Sequence, residues 1–352
     1  MPKHYFNTLI LIDSYNKPDR AIDSNNAISK RLKTYGVKQS NISFQIPLFT
    51  KDVKGLYADS NIIANHHLLL TGTFMSLRPQ FEGIETHRLV KRGIGLRYIY
   101  NTGQKGVWFF DIAPFVTKDM TYQSKAYARL ASTIVYSYNF SDRFNMRGGI
   151  TKSFLWGNRY YLPFIGLRFG RLDRVNLSIQ FPRSININLP LNNKAVFSIY
   201  TKPQGGMYIF SNQDSLYFNK SVPTFHFTRY ELNTGLRFDL RLKHLNFYTA
   251  LGFSTKNNIT FYSDKHNSSA VGSYNTYFYT KKLPSTLYLN LGLLIKIGKT
   301  KSIYNNRNLY DAIDLNNTMG LPNRNAQIPV PAKKTSKTNL ESIQDLIDYN
   351  DF

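Results

Sequence analysis

Two places in the chain carry histidine and hydroxyl side chains at spacings that could begin a lipid-hydrolysing site. His226 and Thr228 lie two residues apart, which puts both on one face of a strand, and His266 precedes an Asn-Ser-Ser stretch at 267–269. Such a site needs a nucleophile, a histidine base, a residue that orients the histidine, and donors for the oxyanion. Neither place supplies an identifiable third member. We therefore predict no catalytic residue and keep a lipid hydrolase as an alternative.

Acidic residues and metal ligands are no better arranged for chemistry. Glu231 and Asp239 share a strand face but are separated by about 26 Å along the strand. The chain has 7 histidines and no cysteine, which excludes thiolate metal sites and cysteine nucleophiles. The adjacent His66 and His67 would point to opposite faces of a strand. The sequence therefore predicts no metal, no cofactor and no enzymatic activity.

Alternation with period two dominates from about residue 41 to 298, and it predicts strands. The clearest example lies between residues 229 and 242. Apolar side chains fill one of its faces, at Tyr230, Leu232, Leu236, Phe238, Leu240 and Leu242. Charged and small residues fill the other face, at Arg229, Glu231, Asn233, Gly235, Arg237, Asp239 and Arg241.

Strand length and aromatic placement favour a transmembrane barrel. Several strands exceed the roughly 9–11 residues that cross a bilayer at a tilt. Tyrosines recur near strand ends on the apolar face, at Tyr98, Tyr100, Tyr136, Tyr138 and Tyr230, as expected for rings at headgroup level. We predict an all-β fold, a closed antiparallel transmembrane β-barrel of about 12 strands, within a range of roughly 10 to 14. A soluble secreted β-sandwich that acts as a binding module is the alternative.

The polar face of this barrel would line its lumen. Charges of both signs on one strand should then pair across the interior, and Asp111 is expected to face a strand arginine such as Arg97 or Arg129. The predicted lumen charge network is structural and comprises Arg229, Glu231, Arg237, Asp239, Arg241, Asp111, Arg97 and Arg129.

Segments outside the alternating region are expected to lie outside the barrel. Residues 1–40 are interpreted as a polar N-terminal extension, 41–298 as the barrel, and 299–352 as a periplasmic tail. The tail contains a short amphipathic helical pattern, with Leu340, Ile343, Leu346 and Ile347 on one side, that could dock on a protein partner. No convincing export signal is found, so the signal peptide is expected to be absent from this chain.

The basic composition indicates anionic neighbours. The formal net charge is +24, from 45 Lys+Arg against 21 Asp+Glu. The charge is spread rather than clustered, which argues against nucleic acid as a partner. We expect outer-membrane lipid and lipopolysaccharide instead.

Several motifs combine glycines and prolines at turns with aromatic residues in strands: Gly93-Ile94-Gly95-Leu96-Arg97-Tyr98, Gly106-Val107-Trp108-Phe109, Tyr161-Leu162-Pro163-Phe164-Ile165-Gly166-Leu167, Phe181-Pro182, and the stretch from Tyr200 to Tyr208. Together they resemble an uncharacterised family of Gram-negative outer-membrane β-barrel proteins of unknown function. The likeness covers roughly residues 40–298. It implies the fold and the bacterial outer membrane, and it carries over no site residue. The expected function is a structural or accessory subunit of an outer-membrane assembly, or a narrow passive channel.

Overall fold

A computed structural model describes most of the chain as far as Gly298. The described residues are 8–21, 34–54, 62–82, 86–101, 106–122, 125–141, 143–154, 159–171, 174–192, 194–211, 224–242, 244–264 and 275–298. Residues 299–352, for which a periplasmic tail is predicted, lie outside them.

The described residues form one 15-stranded antiparallel sheet. The strands are β1 Thr8–Ala21, β2 Thr34–Lys54, β3 Ile62–Phe81, β4 Leu89–Asn101, β5 Gly106–Asp119, β6 Tyr127–Ser141, β7 Phe144–Ser153, β8 Tyr160–Phe169, β9 Asn176–Phe181, β10 Ser184–Pro190, β11 Ala195–Ser211, β12 Thr224–Arg241, β13 Leu245–Asp264, β14 Asn275–Leu283 and β15 Thr286–Ile297.

The sheet closes on itself into a barrel. Neighbours in sequence pair from β1 through β13, and β15 pairs with both β1 and β13. β14 pairs with residues 257–264 of β13, and β15 pairs with residues 245–254 of the same strand. β14 and β15 therefore follow each other along one edge of β13 as two halves of an interrupted strand. The result is a closed barrel of 14 strands plus this one extra strand, slightly more than the 12 predicted.

The prediction that residues 1–40 form an extension outside the barrel is wrong for most of that segment. β1 pairs with β15 on one side and β2 on the other, and it is therefore the strand that completes the ring. Residues 202–205 have the composition of a turn, but β11 runs unbroken through them.

The two ends of the barrel differ in their connections. One end, here called the short-turn end, holds the turns 142–143, 191–194 and 242–244, and the start of β1 lies beside the end of β15 there, with Thr8 opposite Ile297. The opposite end, called the long-connection end, holds the three longest connections, 22–33, 212–223 and 265–274, and also the two-residue turn 182–183. This asymmetry is typical of outer-membrane barrels, whose periplasmic turns are short.

Side chains alternate between the two faces of the wall. Along β12, Arg237 and Asp239 point inward and are buried, whereas Leu236 and Phe238 point outward and are 50% and 38% exposed. The same outward exposure of large apolar side chains recurs around the whole ring, for example at Ile12, Ile42, Ile94, Ile112, Ile134, Ile150, Ile165, Ile187, Ile199, Leu251 and Leu289. An apolar belt that encircles a closed sheet is the surface expected against hydrocarbon.

An aromatic girdle borders this belt at the short-turn end. Outward rings contact one another from strand to strand, with Trp108 and Tyr136 centroids 4.8 Å apart and Phe140 and Phe144 centroids 5.2 Å apart. Other members are Tyr98, Tyr100, Phe110, Tyr138 and Phe169. Amphipathic rings at this level suit the boundary between hydrocarbon and headgroups.

Candidate functional site

The lumen is the candidate functional site, because it concentrates buried charge. The buried basic residues are Lys17, Lys91, Arg97, Arg147, Arg168, Arg183, Lys202, Arg229, Arg237, Arg241 and Lys296, and the buried acidic residues are Asp13, Asp111, Asp119, Glu231 and Asp239. Basic side chains therefore outnumber acidic ones more than two to one within the described interior. Such charges are rarely buried unless they are paired and hydrogen-bonded.

The most connected acid in the lumen is Glu231 on β12. Its carboxylate accepts hydrogen bonds from the Tyr15 hydroxyl at 2.7 Å and from Lys17 Nζ at 2.6 Å, and Arg229 Nη2 lies 3.1 Å away. All of these side chains are almost fully buried. Glu231 thus ties β1 to β12 across the strands that separate them around the wall.

A bulge in β13 supplies a further partner for this cluster. The β12–β13 register shifts between Tyr230 and Leu232, and Lys256 on the bulged strand has a φ of 48°. The bulge directs Asn257 inward, where its Oδ1 lies 3.4 Å from Lys17 Nζ and its Nδ2 donates to the carbonyl of Pro284. Bulges commonly re-aim a side chain in this way.

Two further ion pairs lie on the inner wall. Arg97 donates to Asp111 Oδ2 through Nε at 3.2 Å and Nη2 at 2.8 Å, and through Nη1 to Gln45 at 2.9 Å. Arg237 donates to Asp239 through Nη2 at 2.7 Å, and its guanidinium carbon lies 4.0 Å from the centre of the Tyr248 ring.

The structure therefore divides the eight predicted lumen residues into separate groups. Arg229 pairs with Glu231, Arg237 with Asp239, and Arg97 with Asp111. The remaining two lie elsewhere on the inner wall: Arg129 donates to Thr117 at 2.6 Å, and Arg241 is buried near the short-turn end. Sequence reasoning missed Tyr15 and Lys17, because period two is hidden in β1.

Towards the long-connection end, β11 leaves its neighbour β10 and lies against β5 inside the lumen, while β12 stays paired with β13 as far as His226 opposite Tyr262. The ladder between β10 and β11 stops at Ile185 opposite Thr201, whereas the β11–β12 ladder continues to Ser211 opposite Thr224. Because β9 and β10 are short, no described residue of β10 pairs with β11 beyond Thr201.

Both faces of this inner hairpin, residues 203–230 apart from the connection 212–223, are covered. Phe225 and Phe227 join an apolar cluster with Tyr35 on β2 and Phe81 on β3, across the lumen, and with Phe261 on the neighbouring strand β13. On the other face, Met207 packs against the cluster formed by Phe115, Ala131 and Phe154. The hairpin is thus held between the two sides of the barrel.

Polar contacts fix the hairpin to the β5 side of the wall. The backbone N–H of Ser211 donates to Asp119 Oδ2 at 3.1 Å, and His87 Nδ1 lies 2.5 Å from the same oxygen. Nearby, Arg129 Nη2 lies 3.2 Å from His226 Nδ1. These groups are bonded across the long-connection end of the lumen.

The structure places His226 and Thr228, the first hydrolase candidate, on the inner hairpin. Both are 7% exposed and lie away from the lipid-facing surface. The second candidate, at His266, lies outside the described residues. No cluster of three or more potential metal ligands occurs in the described ranges. A helix long and apolar enough to cross a membrane is not found among the residues whose structure is described.

Comparisons with known proteins add little to this geometry. No family model and no curated protein matches the sequence. Among solved structures, the chain is similar to the translocator domain of the autotransporter NalP from Neisseria meningitidis, with 11% identity, a TM-score of 0.32, and coverage of 83% of this chain and 89% of that one. It is also similar to OpdQ from Pseudomonas aeruginosa, with 8% identity, a TM-score of 0.28, and coverage of 83% and 98%. A third is the transport unit of the autotransporter AIDA-I from Escherichia coli, with 8% identity, a TM-score of 0.25, and coverage of 83% and 90%.

Proposed function

We propose that this chain is an outer-membrane β-barrel whose lumen is closed by its own inner hairpin, and that it serves as a structural or accessory subunit without a reaction of its own. The observation that carries the proposal is the burial of both faces of that hairpin between opposite walls. A barrel plugged in this way offers its rims and outer surface to other molecules.

The apolar belt and the aromatic girdle support the membrane location. Lipid cannot satisfy open strand edges, so only a sheet that closes on itself is stable there. The barrel meets this condition through the β1–β15 and β12–β13 pairings. With the short-turn end towards the periplasm, residues 299–352 leave β15 on the periplasmic side, where a protein partner can bind them.

The buried charges support a closed lumen. Arg97 and Arg229 are 2% exposed and Arg237 is 1% exposed, so water does not reach these side chains as it would in an open pore. Polar contacts between the inner hairpin and the wall, such as Ser211 to Asp119, cross the space that a solute would have to occupy.

Conductance in planar bilayers tests this closure. The full chain is expected to give no steady current. A variant in which residues 206–229 are replaced by an Asn-Gly turn keeps the pairing of Gly205 with Tyr230. It removes the plug together with Arg229 and the pairing of residues 226–229 with β13. It is expected to conduct, and to prefer anions because basic residues dominate the lumen. Placing Asn-Gly at the 142–143 turn is the matched control and should remain silent.

A narrow channel is the second candidate, and the excess of basic residues in the lumen is the observation that favours it. Steady, anion-selective current from the unaltered chain would establish the channel and overturn the plugged barrel.

Phospholipid hydrolysis by the purified barrel, abolished by His226→Ala, would instead show that the chain catalyses a reaction.

A further inference from the structure

Three basic residues form a row on the outer face at the long-connection end. Lys38 on β2 lies directly opposite Arg78 on β3. Leu77 pairs with Leu89, so the same register brings Arg78 beside Arg88, which precedes β4. All three side chains are exposed, and the half-exposed Lys118 lies on β5 opposite Val90. We call Lys38, Arg78 and Arg88 the outer-rim cations.

Like charges placed directly opposite each other on neighbouring strands destabilise a sheet. Within the described residues, none of the outer-rim cations forms a salt bridge with a carboxylate. Asp19 on the adjacent strand β1 lies against Gly36, two residues along β2 from Lys38. The row is therefore suited to an anion that comes from outside the chain.

The residues below the row identify the environment of that anion. Ser40 and Ser76 form the next row and face each other, and Arg88 Nε donates to Ser76 Oγ at 3.3 Å. The row below the serines holds Ile42, which is 44% exposed, and the exposed Arg92, whose guanidinium lies 5.1 Å from the centre of the Phe74 ring. Further along β4 the outer surface becomes apolar, with Ile94 61% exposed. The cations thus lie one step above the belt, at the level of lipid headgroups.

The height of the row agrees with this placement. On the ladder of β4, Arg88 lies about 40 Å along the strand from Tyr100 in the aromatic girdle. At a strand tilt of about 40°, this distance is about 30 Å along the barrel axis, close to the thickness of a bilayer's hydrocarbon core. The girdle and the outer-rim cations therefore mark the two opposite interfaces.

We propose that the outer-rim cations bind phosphate groups of lipopolysaccharide. The inference rests on the proposed membrane orientation, because the long-connection end then lies in the outer leaflet, where this glycolipid resides. Three cations on adjacent strands span about 10 Å, which allows them to contact more than one phosphate of a single molecule. Arginine adds a planar fork that matches phosphate oxygens, and the hydroxyls of Ser40 and Ser76 can donate to sugar or phosphate oxygens.

The test compares two triple variants in the intact, folded chain. Lys38→Ser, Arg78→Ser and Arg88→Ser together remove the row, while the backbone bond from Arg88 N to Thr121 is retained. The matched control removes the same charge at the short-turn end, through Arg143→Ser, Arg174→Ser and Lys194→Ser, three residues that are also exposed. Binding is measured in detergent with three probes: lipopolysaccharide, the same material after its phosphates are removed, and phosphatidylglycerol.

We expect the outer-rim variant to bind lipopolysaccharide on the order of 100-fold more weakly, whereas the control variant binds like the unaltered chain. Dephosphorylated lipopolysaccharide should bind the unaltered chain weakly, and this comparison needs no variant to fold. The site is refuted if both triple variants lose affinity for lipopolysaccharide equally. It is also refuted if the unaltered chain binds dephosphorylated lipopolysaccharide or phosphatidylglycerol as tightly as lipopolysaccharide. Resistance of the unaltered chain to carbonate extraction from membranes is measured in parallel. A chain that stays in the membrane but lacks the expected affinity for lipopolysaccharide refutes this site alone. A chain that carbonate extracts refutes the proposed function.

Discussion

Replacement of Glu231 by glutamine is expected to destabilise the barrel strongly. The carboxylate holds three donors, from Tyr15, Lys17 and Arg229, at 2.7, 2.6 and 3.1 Å. Glutamine has nearly the same shape but carries no charge, and its amide group presents a donor to one of these positions. Two buried cations then face each other without the anion that lies between them.

The size of the effect follows from the burial of this group. Glu231 is 0% exposed and Lys17 is 2% exposed, so water cannot replace the lost carboxylate. Removing one partner of a buried ion pair lowers the free energy of unfolding by about 3–5 kcal/mol. Combining Lys17→Met with Glu231→Gln removes one of the stranded cations, so the double variant should be less destabilised than the sum of the single variants, by about 1–3 kcal/mol.

Urea unfolding of the barrel in phospholipid vesicles measures these differences. The exposed Asp19→Asn is a control for the change from acid to amide, and it should alter the free energy of unfolding by less than about 0.5 kcal/mol. A loss below about 1 kcal/mol for Glu231→Gln, or strict additivity with Lys17→Met, would show that the cluster does not stabilise the fold as its contacts indicate.

Three further predictions concern the wall. Gly252→Ala should lower the free energy of unfolding by about 1–3 kcal/mol, since its Cβ would lie 2.2 Å from the carbonyl oxygen of Thr234, whereas Gly148→Ala, with nothing within 4 Å, should be neutral in the same urea titration. Ile94→Arg, midway up the apolar belt, should lower the stability in vesicles by about 2–4 kcal/mol and Val175→Arg at the short-turn rim by no more than about 1 kcal/mol; equal effects would contradict the belt. In a Trp156→Phe variant, the fluorescence of the remaining Trp108 should be quenched more by lipids that carry a quencher near the headgroup than by lipids that carry it at the bilayer centre. The reverse order would contradict the position of the girdle at the membrane interface.

The alternation of β12 could be predicted from sequence because its two faces meet different media. Leu236 and Phe238 face outward and Arg237 and Asp239 face the lumen, so the pattern of polarity follows the pattern of the pleat. In β1 the two patterns separate. Leu9 and Leu11 are buried inward while Ile12 is 43% exposed outward, so apolar residues occupy both faces and period two is hidden.

The inner hairpin could not be predicted, because it depends on the relative heights of strands that are distant in sequence. Lys202-Pro203-Gln204-Gly205 has the composition of a turn, yet Pro203 pairs with Leu232 inside β11. Proline is tolerated there because β10 ends its pairing at Thr201, which leaves the other edge of β11 without a ladder partner from β10. Only the completed barrel shows that this edge turns inward.

The pairing of β1 with β15 has a consequence for the order of biogenesis. β1 is synthesised before β15, so Thr8 can pair with Ile297 only after β15 has been made. Until then two edges of the nascent sheet carry unsatisfied amides, a state that hydrocarbon does not tolerate. Membrane insertion of this chain is therefore a late event that follows synthesis of the whole ring.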